Sequence, residues 1–124
     1  MSRRLLCCVL FLCSFSYADS DLEKLYDKLN QKHFAGALSR ASVKWKKGLI
    51  KDRVIARTER WPEVYKIEID DTLRTLELVN YTELSLLHEM AHIKCWPEQG
   101  TEHGSCWKDE MRRLAREGAF DEIW

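Results

Sequence analysis

Two histidines four residues apart, His88 and His92, stand inside an apolar run, and no other feature constrains the fold as tightly. Leu84, Leu86, Leu87, Met90, Ala91 and Ile93 place apolar groups on most sides of any helix drawn through this segment, the mark of a buried helix. Residues i and i+4 lie one turn apart on one helix face, so the two imidazoles converge on a common point. Unpaired imidazoles are costly to bury, and a shared metal ion removes that cost for both at once.

Glu89 follows the first histidine directly, which makes His88-Glu89-Met90-Ala91-His92 an H-E-x-x-H pattern. The pattern is short, and its helical, apolar setting gives it weight. Glu89 projects from an adjacent angle, within reach of a water on the metal but not of the metal itself. Zinc lowers the pKa of such a water to about 7, so a carboxylate there acts as general base in peptide hydrolysis and then returns the proton to the leaving amine.

A catalytic zinc takes three protein ligands. Of the two remaining histidines, His103 follows a loop containing Pro97 and Gly100, where the chain can reverse and bring it back over the motif. His33 lies at the end of an earlier helical pattern and reads as a structural residue. His103 is therefore the expected third ligand. Glu98 and Glu102 are carboxylate alternatives, the Cys106 thiol is a candidate additional ligand, and manganese or another divalent ion competes with zinc for such a site.

The N-terminus reads as a targeting segment. Arg3 and Arg4 precede a mostly apolar run from Leu5 to Phe15, and Ser16-Tyr17-Ala18 offers small residues at the positions a signal peptidase reads. The run is short of the ~20 residues a membrane span needs. We expect a signal peptide over residues 1–18, cleaved after Ala18, and a secreted or periplasmic domain over 19–124 without a stable membrane span. Cys7, Cys8 and Cys13 leave with the signal, so Cys95 and Cys106 remain as an even pair in an oxidising compartment and are candidates for a disulfide. Loss of Arg3 and Arg4 leaves 18 basic against 20 acidic residues, a net charge of −2. That balance argues against nucleic acid as a partner. With 45% hydrophobic and 32% charged residues, the chain has the composition of a globular domain.

Between these landmarks the pattern changes period twice. Asp19 and Ser20 can cap a helix carrying Leu22, Leu25, Tyr26, Leu29 and Phe34, which Gly36 ends. Val43 and Trp45, then Val54-Ile55-Ala56, then Tyr65, Ile67 and Ile69 read as two or three strands of a small antiparallel sheet, with a turn at Trp61-Pro62. Lys44, Lys46, Lys47 and Lys51 read as a strand edge guarded against pairing. Residues 71–78 form a short helix or an extended lead-in. Asn80 and Glu83 resemble a capping box for the motif helix, and a last helix carries Trp107, Met111, Leu114 and Ala115 before Gly118. The order helix, sheet, helix, helix gives one α+β domain, expected to be a monomer.

These residues together resemble the SprT-like metallopeptidase domain, the family of bacterial SprT proteins and the eukaryotic protease Spartan. Leu29-Asn30, Phe34, Gly36 and Leu38 look like its first helix and exit, Val43 and Trp45 like its first strand, and Ile67, Ile69 and Leu73 like the approach to its catalytic helix. Leu87 to His92, followed by His103-Gly104 and Trp107, is similar to its two signatures. The resemblance spans roughly Leu22 to Phe120. It implies a minimal zincin-like domain with one Zn2+ and peptidase chemistry, and we expect an exported endopeptidase that cuts exposed or unfolded protein segments with little sequence preference. In that frame a Cys95–Cys106 bond would staple the loop presenting His103. The family's frequent four-cysteine zinc ribbon has no counterpart in this sequence, and a signal peptide departs from most members. A zinc-stabilised module that binds peptide without cutting it is the alternative.

Overall fold

The computed structural model describes residues 18–62 and 64–123. The expected signal segment before Ala18 lies outside them, as does Trp124. Helix α1 (Asp19–Phe34) opens the fold, and the Asp21 carboxylate accepts from the Ala18 backbone N–H at 3.0 Å, so Asp21, not Asp19 or Ser20, ties its first turn. The helix buries Leu22, Tyr26, Leu29 and Phe34, one apolar stripe at helical spacing. It ends in two left-handed residues, Ala35 and Gly36, where the Gly36 N–H bonds the Asn30 carbonyl. The buried Asn30 side chain then brackets the turn into the sheet, exchanging hydrogen bonds with both backbone groups of Leu38.

Strands β1 (Ala41–Lys46), β2 (Ala56–Trp61) and β3 (Val64–Asp70) form a sheet in the order β1-β3-β2. The sheet is mixed, which corrects the antiparallel expectation: β2 and β3 form an antiparallel hairpin, but β1 runs parallel to β3. The reason lies in the nine residues between β1 and β2. They carry a 3-10 turn (Leu49–Asp52), anchored by buried Leu49 and by an Ile50 N–H bond to the buried Asp70 carboxylate, and so carry the chain past the central place. β3, the strand whose side chains are most fully buried, then fills that place. Lysines 44 and 46 lie exposed on edge strand β1, where charge discourages further pairing.

After β3 the chain makes two 3-10 turns, Asp71–Leu73 and Leu76–Leu78, and enters helix α2 (Val79–Lys94) directly. The capping box expected from Asn80 is absent, because the helix already starts at Val79 and Asn80 lies inside its first turn. Thr82 secures the entry instead, its hydroxyl donating to the Leu73 carbonyl. Helix α2 packs on β2 and β3, and its Leu86, Leu87 and Met90 share one buried core with Val43, Ile67 and Ile69. The four-residue helix α3 (Trp96–Gln99) and a loop lead to helix α4 (Ser105–Arg116), which returns across α2 and buries Leu114. Cys95 and Cys106 are joined by a disulfide across that loop. No helix among the described residues is long and apolar enough to cross a membrane.

Candidate metal centre

Helix α2 aims His88 and His92 from consecutive turns into a cleft between itself and strand β2. The loop returning from α3 brings His103 to the same point. One ring nitrogen from each of the three lies within 4.8 Å of the others, and the Nε2 atoms of His88 and His103 are 3.0 Å apart. Ligands held at ~2.0–2.1 Å in a tetrahedral shell are separated by about 3.3 Å. The cluster thus fits a single ion with little adjustment.

Its electrostatics fit as well. Burial, reinforced by the other imidazoles of the cluster, lowers the pKa values of His88 and His92 to about 4, so both are neutral with a free lone pair at neutral pH. For His92 the geometry also selects the tautomer: Nδ1 lies 3.3 Å from the Gly100 carbonyl, to which it donates, leaving Nε2 as the acceptor atom. The remaining sequence candidates do not join the cluster. Glu98 and Glu102 are exposed and do not line the cleft, and the Cys106 sulfur is bonded to Cys95. His33 is buried elsewhere, with Nδ1 3.5 Å from the Glu117 carboxylate.

The Glu89 carboxylate is only 5% exposed and faces the cleft beside His88, its Oε2 3.6 Å from the His88 Nε2. Burial raises its pKa to about 7, against the opposing pull of a 2.9 Å hydrogen bond donated by the Thr58 hydroxyl to Oε1. Thr58 is one residue that sequence reasoning missed. It sits on the inward face of β2, opposite Ile67, and no local motif marks it. Trp107 is another whose part was missed. Its indole N–H donates to the His88 carbonyl at 3.2 Å, and its ring lies 4.3 to 5.6 Å from all three imidazoles. One aromatic wall therefore backs the whole cluster.

A metal-ready triad with a protonatable carboxylate beside it matches a wider pattern in this chain. A family model described as the SprT-like family matches residues 22–121. The chain belongs to the SprT-like family. No significant match to a curated protein accompanies this assignment. The SprT-like match takes in every residue of the cluster, both cysteines and all three strands, so its reach agrees with the sequence resemblance. The cleft of this SprT-like domain has a volume of about 510 Å³, within the ~300–1,000 Å³ typical of ligand sites. Arg53 and Arg57, whose charge could stabilise an oxyanion, are among its walls, whereas Tyr65 and Tyr81 are not. Arg57 is tied to the Glu68 carboxylate at 2.8 Å.

Proposed function

We propose that the protein is an exported zinc-dependent endopeptidase in which His88, His92 and His103 hold one zinc ion and Glu89 is the general base. The observation that carries this reading is the convergence of three imidazole nitrogens with one buried carboxylate on a single open cleft. Three imidazoles are a donor set that suits zinc. The ion, when bound, supplies a Lewis acid that polarises a peptide carbonyl and makes water a stronger acid.

The chain's own groups perform the rest. Glu89, whose pKa burial raises in the metal-free protein, accepts a proton from the attacking water and gives it to the leaving amine. Thr58 holds one carboxylate oxygen and so leaves the other for that transfer. The Gly100 carbonyl and the Trp107 indole fix two of the imidazoles or their backbone, and fixed ligands hold a metal more tightly. Exposed or unfolded protein segments are the proposed substrate. Export rests on the Arg3-Arg4 and Leu5–Phe15 leader, with cleavage after Ala18, and on a disulfide that an oxidising compartment preserves.

Metal analysis of the purified protein beside its His103→Ala variant tests the site, and digestion of an unfolded protein by wild type and Glu89→Gln tests the chemistry. We expect about one zinc per wild-type chain, sharply reduced in His103→Ala. Glu89→Gln should keep the zinc and lose cleavage. A wild type that takes up no metal overturns the reading. Zinc bound with no cleavage by either protein leaves the peptide-binding alternative.

A further inference from the structure

The metal cleft has an apolar half that the chemistry of Glu89 and the histidines does not use. Val54 and Ile55, expected from sequence to begin a strand, lie just before β2 and are 37% and 50% exposed. Single exposed aliphatics are common on protein surfaces and signify nothing by themselves. These two both line the metal cleft, and they share it with Leu84 and Ala56. Leu84 stands four residues before His88 and therefore one turn away on the same face of α2. The apolar wall thus adjoins the first histidine of the cluster.

The wall is also held in place. The Val54 N–H bonds the Leu49 carbonyl at 3.3 Å, and the Ile55 carbonyl accepts from the Asp70 N–H at 2.7 Å. Arg53, just before them, turns the chain in a left-handed conformation (φ 62°). Two β-branched side chains on a tethered backbone have few rotamers to lose, so they form a preorganised surface for a partner. The charges nearby are cationic: Arg53 and Arg57 line the cleft, and Glu89 is the one carboxylate among its lining residues.

Resting on the peptidase reading, we propose that Val54, Ile55 and Leu84 form a specificity pocket that takes a bulky apolar side chain of the substrate next to the bond to be cut. A glycine leaves the wall wet, and a lysine or arginine brings its charge toward Arg53. The substrate class sharpens accordingly, from any exposed segment to one presenting leucine, isoleucine, valine, methionine or phenylalanine. Such residues are buried in folded proteins, so the pocket selects unfolded chains.

The test is a methyl NMR titration of the zinc-loaded Glu89→Gln protein with blocked glycine pentapeptides carrying leucine, glycine or lysine at the central position. We expect the leucine peptide to shift the methyl signals of Val54, Ile55 and Leu84 and to bind about tenfold more tightly than the glycine peptide, the range one apolar group gives in a hydrophobic pocket. The lysine peptide should be the weakest. In a Val54→Ser/Ile55→Ser background, outside the buried core, the leucine advantage should fall to near unity. Equal affinities for the three peptides, an unchanged advantage in the double variant, or shifts confined to other methyls would overturn the pocket. The same samples report zinc content, so failure to hold metal, which sinks the peptidase reading, is scored separately from the methyl response.

Discussion

Burial pushes Glu89 and its flanking histidines in opposite directions on the pH scale. His88 and His92 are lowered to about 4 from an ordinary value of 6.5, and Glu89 is raised to about 7 from 4.5. Between pH 4 and 6.5 the unfolded chain takes up protons at both histidines that the metal-free folded protein refuses, so stability rises with pH through that window. Between 4.5 and 7 the folded protein keeps a Glu89 proton that the unfolded chain releases, and this opposes the rise. Two groups against one predicts that metal-free stability rises with pH from about 4 and levels near 7. Urea midpoints across pH check it. Glu89→Gln should steepen the rise, and superimposable curves would show that Glu89 is not held neutral by burial. Thr58→Val makes a separate prediction. It removes the hydrogen bond that lowers the Glu89 pKa, so the acid limb of the pH–activity profile should move to higher pH with zinc content unchanged.

The loop from α3 to α4 contributes only one side chain to the cluster, and the elements around it explain how that side chain is held. The disulfide closes the chain at 95 and 106, with His103 inside the closed loop and helix α4 beginning at Ser105. A closed loop of this length stabilises by about 2–3 kcal/mol through the unfolded state. Cys95→Ala/Cys106→Ala should therefore lower the unfolding free energy by that amount, and should weaken zinc binding more than it weakens the fold if the bond also positions His103. Zinc affinity by competition with a chromophoric chelator, read beside urea unfolding, separates the two effects. The elements themselves were legible where one period dominates. The α1 stripe, the motif helix and the alternation of Tyr65, Ile67 and Ile69 need only local spacing to be read. The parallel pairing of β1 with β3 was not legible, because it depends on the Asp70 carboxylate holding the Ile50 backbone across 20 residues. Val54 and Ile55 misled for a related reason: their apolar character serves the cleft, not a sheet.

At the scale of the molecule, the four histidines divide into two environments that sequence alone separates only in part. His88 and His92 identify themselves by spacing, and His103 by a reversal of the chain. Thr58 reaches the cluster from a distant strand and carries no signal short of the fold, whereas Trp107 stands in the signature after His103 and only its place behind the imidazoles needed the fold. His33 is as buried as a ligand would be, yet it packs at the far end of α1, where Glu117, Glu110 and Arg113 line a separate cavity. A zinc ion held only by the folded chain, as proposed, should add roughly 2.7 kcal/mol of stability at a hundredfold excess over its dissociation constant. For a domain of this size that corresponds to a rise in melting temperature of about 10 °C. His103→Ala should keep a near-normal metal-free melting temperature, since its ring is exposed, but lose most of the zinc-induced rise. His33→Ala should do the reverse, melting earlier without metal because a buried packing group is gone, while gaining the same rise on adding zinc. Calorimetry of the two variants with and without zinc distinguishes a ligand from a packing histidine, and loss of the zinc response in His33→Ala would mean that the metal is held elsewhere than in the cleft.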